Sequence, residues 1–296
     1  MGVPHPEIPL RDGQSLASQI VQDVFASVVD LYARLSAEDT AVDEFGFDPE
    51  LVDDTLMPAL RPLYRKYFRV EVEGLEHVPS EGSGLVVANH SGTLPMDALM
   101  LQLCLHDDHA AHRNLRMLAA DLAFSVPMIR DLARKLGHVR ACPENAERLL
   151  REGALVGVMP EGYGGLGKPF DERYRLRRFG RGGFASLALR TGRPMVPCSI
   201  VGAEEIYPMI GESPTLARML KLPYFPITPT FPLLGVLGLM PLPTRWKIRF
   251  DPPVRTDGFA PGAAEDPKVV EKLAGEVKDT IQHRLSGMVR ERDSLF

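Results

Sequence analysis

His90 stands where an apolar run, Gly84 to Asn89, gives way to a loop, and Asp97 opens the helix-like stretch that follows. Histidine is the side chain best matched to taking a proton from a weak nucleophile near neutral pH. A carboxylate on its other ring nitrogen would orient the imidazole and stabilise the imidazolium. Gly92, between them, would let a substrate approach the backbone closely. The same residues have a plain structural use, with His90 hydrogen-bonded at a strand end and Asp97 capping a helix. Taken alone, the pair leaves both readings open.

A second constellation follows another apolar run. Pro160, Glu161 and Gly162 lead into GYGGLG (162–167), a literal G-x-G-x-x-G. The dinucleotide reading fails on context: Lys168-Pro169-Phe170-Asp171 follows where a helix should begin, and the acid expected about twenty residues on is missing. What remains is a glycine turn, or backbone amides that line an anionic substrate site with Glu161. Next comes a concentration of positive charge, eight bases from Lys168 to Arg193 against Asp171 and Glu172. Arg178 and Arg181, within it, could hold phosphates of a coenzyme or of lipid headgroups, or simply face solvent.

Other chemistries are excluded by what is missing. No GxSxG elbow, Walker A motif or HExxH occurs. His106, His109 and His112 have a metal-like rhythm, but in a polar loop where such residues are ordinarily exposed, so no metal is expected. The net charge of −5 argues against nucleic acid as a partner. Cys104, Cys142 and Cys198 form no CxxC, which excludes a disulfide framework and points to a reducing compartment.

These loops need a scaffold, and the hydrophobic pattern supplies one. Strands are predicted at 68–74, 84–89, 115–120, 154–160, 194–202 and 246–254. Helices are predicted at 15–36, about 55–66, 97–105, 127–137, 144–153, 182–192 and 265–292. The acid-rich stretch 38–54 reads as a solvated connector. With 296 residues and 45% hydrophobic content, the chain is an α/β protein with a mostly parallel central sheet flanked by helices. The expected division is an N-terminal helical segment over 1–55, a main domain over 56–260 and a C-terminal helix over 261–296 packing on it. Function in such folds concentrates at the carboxyl ends of strands.

NHSGTLPMD (89–97), GHVRACPENA (137–146), VMPEGYGG (158–165) and MVPCSIVGAEE (195–205) come in that order on one chain. Together they resemble the four blocks of the lysophospholipid (glycerol-phosphate) acyltransferase superfamily, over about residues 60–255. The resemblance implies transfer of a fatty acyl group from an acyl-CoA or acyl carrier protein thioester to a lipid hydroxyl, without a cofactor or a covalent acyl-enzyme. His90 would be the general base and Asp97 its orienting acid, with Gly92, Glu161 and Gly162 lining the substrate site. Two departures stand out. The family usually places four residues between its His and Asp, and here six intervene. Its glycerol-phosphate members often read EGT followed by a phosphate-binding arginine, whereas Glu161-Gly162-Tyr163-Gly164-Gly165 is closer to the neutral-lipid branch, which includes diacylglycerol acyltransferases. Arg140 is a candidate substitute for that arginine or an exposed structural residue.

The stretch 222–244 holds 23 residues without a charge but with six prolines, which break an unbroken spanning helix. It could be an interfacial loop, a wall of an acyl tunnel, or a core crossover. The helix at 15–36 is a second membrane candidate, but its polar face is mostly acidic or neutral (Gln19, Asp23, Asp30), so packing on the domain is expected. The N-terminus lacks an apolar signal region. The expectation is a cytoplasmic enzyme peripherally attached to the membrane. The rival is a non-catalytic lipid-binding protein that retains the fold.

Overall fold

The computed structural model describes residues 42–296, apart from 92, 93, 126, 221, 293, 295 and 296. The helix expected at 15–36 and the start of the acidic stretch lie outside the described residues, as does Gly92.

The chain begins with a helical stretch, α1, of four abutting pieces: Pro49–Leu51, Val52–Leu56, Met57–Pro62 and Leu63–Tyr67. Two of them are π-helical. They flank the piece that carries Pro58 and Pro62, where missing N–H groups interrupt the regular ladder. There follow β1 (Glu71–Glu73), β2 (Gly84–Ala88), α2 (Met96–Asp107), β3 (Leu115–Ala119), α3 (Pro127–Lys135), β4 (Val139–Arg140), α4 (Pro143–Arg151) and β5 (Leu155–Val158). The remainder is α5 (Tyr163–Leu166), α6 (Gly183–Thr191), β6 (Met195–Val201), β7 (Gly211–Glu212), α7 (Pro214–Leu220), β8 (Pro226–Ile227), β9 (Lys247–Phe250) and α8 (Pro267–Arg290).

Seven strands form one sheet in the order β1-β9-β6-β2-β5-β3-β4, and β7 and β8 pair separately. β6, β2, β5, β3 and β4 run parallel, while β9 is antiparallel to β6 and parallel to β1. The reversal has a simple cause. The excursion 202–246 leaves and returns at the carboxyl end of β6, so the chain must run back along it. Every residue of β2 and β6 is buried, as central parallel strands require.

Alternation along β2 sorts its side chains into two cores. Val86 and Ala88 face α1 and α2, joining Met57, Tyr64, Phe68, Met100, Leu101 and Trp246. Leu85 and Val87 face α4, α6 and α8, joining Leu149, Ala185, Val277, Ile281 and Leu285. α8 lays its stripe Val270, Leu273, Val277, Ile281, Leu285 on that face, and its start is capped by Asp266, which accepts from the Lys268 N–H.

The described part of the acidic stretch is engaged rather than merely solvated. Asp43 accepts from the Phe45 and Phe47 N–H groups and from Arg116, Asp48 caps α1, and Glu44 pairs with Arg148. Local composition could not reveal this, because the bases lie far along the chain. His106 bridges Asp53 and Asp107, while His109 and His112 bond backbone carbonyls, so this loop ties α2 to its neighbours.

Candidate active site

From β2 the chain moves outward to β3 and β4, returns to β5 beside β2, then crosses to β6 on the other side of β2. Connections thus diverge from the carboxyl end of β2, the position where open α/β sheets form their binding crevices. His90 follows β2, Glu161 follows β5 and Glu204 follows β6.

His90 and Asp97 are in contact. Asp97 Oδ2 lies 2.7 Å from His90 Nδ1, with the ring 13% exposed and the carboxylate fully buried. Two residues beyond the family's usual interval therefore do not hold them apart. Asp97 sits in the first turn of α2, where the helix dipole favours a negative charge. Its Oδ2 also accepts the Ser91 N–H at 2.8 Å, and its Oδ1 accepts the Ala98 N–H at 2.8 Å. With the carboxylate as acceptor, the ring proton resides on Nδ1, which leaves the lone pair of a neutral imidazole on Nε2. Such a nitrogen can accept a proton from a hydroxyl.

Glu161 braces this arrangement from β5. Its Oε1 accepts the His90 backbone N–H at 3.0 Å, and its Oε2 accepts the Arg177 N–H at 2.7 Å. The glycines of 162–167 serve this close packing. Gly162 has φ +53° and ψ −141°, a conformation that side-chain-bearing residues avoid. A Cβ at Gly165 would fall 2.6 Å from the His90 carbonyl oxygen. The literal G-x-G-x-x-G is therefore a turn that fits against the histidine, with only the four-residue α5 inside it.

The predicted site residues are not all brought together. His90, Asp97, Glu161 and Gly162 meet at the strand ends. Arg140 lies on β4, three strands from β2, with its guanidinium 2.6 Å from Asp121. Arg178 and Arg181 are exposed on the loop that Arg177 joins to Glu161.

Four residues join the site that the motifs alone did not single out. Asn89 bonds β6. Lys168 lies between Glu161 and Glu204, the last residue but one of the fourth block. Burial, and then the Asp97 carboxylate, push the Tyr224 phenol up from its ordinary range, and Gly167 packs against its ring. Tyr224 belongs to the proline-rich stretch, so that segment passes close to the dyad. Farther along it, Leu233, Leu234, Leu237 and Met240 are exposed. Among the described residues no helix is long and apolar enough to cross a membrane.

A family model described as Acyltransferase matches residues 69–201, which include His90, Asp97 and Glu161. The chain is 51% identical to an uncharacterised protein of Mycobacterium tuberculosis, over 96% of its own length and 79% of that protein. It is 25% identical to a Bos taurus protein named DGAT1/2-independent enzyme synthesizing storage lipids, over 72% of this chain and 58% of that one. The crystal structure of the 1-acyl-sn-glycerophosphate acyltransferase PlsC from Thermotoga maritima has the same fold, with a TM-score of 0.55 at 17% identity, over 95% of this chain and 100% of that one. With the matched segment running from β1 to the end of β6, this chain belongs to the acyltransferase family and is an O-acyltransferase.

Proposed function

We propose that the enzyme works at a membrane surface, moving a fatty acyl group from an acyl-CoA or acyl carrier protein thioester to a glycerolipid hydroxyl, with His90 as general base. The observation that carries this reading is the 2.7 Å contact between His90 Nδ1 and a fully buried Asp97. An alcohol is a poor nucleophile until its proton is removed. His90 Nε2 takes that proton as the oxygen attacks the thioester carbonyl, a step for which base catalysis contributes roughly 10²–10⁴-fold. Collapse of the tetrahedral intermediate breaks the carbon–sulfur bond, and the imidazolium returns its proton to the departing thiolate. Products are an ester and a free thiol. Asp97 holds Nδ1 throughout and offsets the transient positive charge.

Two features favour a neutral acceptor of the diacylglycerol kind over lysophosphatidate. No arginine occupies the position after Glu161-Gly162 where the glycerol-phosphate pattern has one. Arg140, the candidate substitute, pairs with Asp121 away from the dyad. Exposed leucines at 233, 234 and 237 support peripheral attachment to the membrane that holds such acceptors.

The test is transfer from labelled palmitoyl-coenzyme A, and from palmitoyl-acyl carrier protein, by wild type and His90→Ala. Lysophosphatidate, monoacylglycerol, diacylglycerol and a long-chain alcohol are offered as acceptors, with free thiol and lipid product measured together. A product that appears with wild type and vanishes with His90→Ala supports the base, and the productive acceptor names the branch. Absence of turnover with every pair would leave lipid binding as the function.

A further inference from the structure

Lys168 is a buried amine, its side chain 1% exposed, with Nζ 3.1 Å from Glu204 Oε1 and 3.5 Å from Glu161 Oε2. Both carboxylates are buried too, at the ends of β5 and β6. Charges are kept out of protein interiors unless they are paired and hydrogen-bonded. Here two acids share one base.

The consequence reaches the histidine through Glu161. As a carboxylate, Glu161 accepts from two backbone donors, the His90 N–H on one oxygen and the Arg177 N–H on the other. If Glu161 took up a proton, one oxygen would become a hydroxyl donor facing an N–H donor, and one of the two bonds would be lost. A buried carboxylate stays charged where a cation is paired with it, and Lys168 Nζ lies 3.5 Å from Glu161 Oε2. We propose that Lys168 is a positioning residue, which keeps Glu161 as a carboxylate and thereby fixes the backbone of His90 and the arginine-bearing loop at Arg177.

This inference rests on the reading of His90 as the base. Burial raises the Glu204 carboxyl to about 7, against the pull of Lys168, so near neutrality the proton resides partly on Glu204 and leaves the ammonium to Glu161. Other charged or titratable groups border the trio: His90, held by Glu161; Arg173 and Tyr207, which line the small cavity beside Lys168; Tyr174, whose N–H donates to Glu204; and Glu205 with Arg292.

The experiment compares Lys168→Met and Lys168→Arg with wild type, in turnover across pH and in hydrogen–deuterium exchange of the segments that carry the His90 and Arg177 amides. Lys168→Met is expected to lower kcat about 10²-fold, the scale of a misplaced catalytic group, with KM within about threefold. The acid limb of its pH–rate profile should move up by about one unit, as Glu161 loses its cation. Lys168→Arg keeps a cation at the site, so it should hold kcat about tenfold above Lys168→Met, with its acid limb back toward that of wild type. A lysine that mattered only for packing would show no such rescue by charge, and a Lys168→Arg variant no better than Lys168→Met overturns the proposal. Should Lys168→Met fail to fold, Lys168→Gln takes its place with the same expectations, and an unchanged kcat in it overturns the proposal. Exchange at the two amides should speed up about tenfold in Lys168→Met and slow again in Lys168→Arg. That readout needs no turnover. If wild type acylates nothing, the functional reading fails while exchange still judges Lys168, and unchanged protection in Lys168→Met refutes the positioning role.

Discussion

The side-chain amide of Asn89 closes on both backbone groups of Ile200, with Nδ2 donating to the carbonyl at 3.0 Å and Oδ1 accepting the N–H at 2.7 Å. The amide copies a strand's own pairing just past the last β2–β6 partners, Ala88 and Cys198. It thereby determines where β2 stops and His90 begins. All of these groups are buried, so removing the amide leaves a donor and an acceptor of Ile200 unpaired.

At about 1–3 kcal/mol per orphaned group, Asn89→Ala should lose roughly 2–6 kcal/mol of stability. Asn89→Asp, which turns a buried carboxylate oxygen on the Ile200 carbonyl, should lose at least as much at neutral pH. Urea unfolding of the three proteins checks the order. A loss below about 1 kcal/mol for Asn89→Ala would mean that Ile200 finds other partners.

Asp97→Asn tests the dyad without changing its shape. Asp97 accepts from His90 Nδ1, from the Ser91 N–H and from the Ala98 N–H. An amide has one oxygen for these three donors, so its NH₂ must face at least one of them. Where it faces the ring, the imidazole proton shifts to Nε2 and the base is lost. Turnover should fall about 10²–10⁴-fold with KM little changed, while circular dichroism stays that of wild type. An activity within threefold of wild type would remove Asp97 from the mechanism.

The strands and helices of the doubly covered sheet were legible because their signals are local, apolar runs for β2, β5 and β6 and a 3.6-residue stripe for α8. β4 was not, since two residues carry no periodicity. Nor was the reversal of β9, which depends on where a long excursion returns. His90, Asp97 and Glu161 could be named from their motifs, but their contacts could not, because the spacing of His90 and Asp97 permits more than one loop path. Lys168 was legible only as one of eight bases and Glu204 only as part of the fourth block, with nothing local to pair them. They lie 36 residues apart and meet only because β5 and β6 end on either side of β2.

Two buried groups should give opposing pH dependences over one window. Burial raises Glu204 from 4.5 to about 7, so the folded protein holds that proton more tightly and this contribution to stability falls as pH rises between those values. Burial, then Arg116, lower His138 from 6.5 to about 4, so its contribution is present above 6.5 and is lost as pH falls toward 4. Each amounts to about 3 kcal/mol at most, at 1.36 kcal/mol per unit. Wild type should therefore be nearly flat between about pH 4.5 and 6.5, while Glu204→Gln becomes less stable on acidification and His138→Asn more stable. Denaturant unfolding across pH reads all three curves, and parallel curves would contradict the opposing signs.

The proline-rich stretch makes the last prediction. Leu233 is 84% exposed, Leu237 70% and Leu234 54%, on the same end of the sheet as the dyad. Nearby, the Phe170 N–H donates to the Met209 carbonyl at 2.9 Å and ties the arginine loop to this region. Arg175, Arg178 and Arg181 of that loop are also exposed, so an apolar ridge and a basic flank share one end. A surface of this composition fits a bilayer with anionic headgroups, leucines among the acyl chains and arginines at the phosphates. Changing all three leucines to serine should weaken vesicle binding by about 30-fold, since partial insertion of three side chains is worth roughly 2 kcal/mol. The thermal midpoint should stay put, because these side chains bury little in the folded protein. Co-sedimentation with phosphatidylglycerol–phosphatidylcholine vesicles at low and high salt separates the two contributions: the triple variant should keep the salt dependence and lose the salt-resistant part. Undiminished binding by the variant would place the membrane contact on another face.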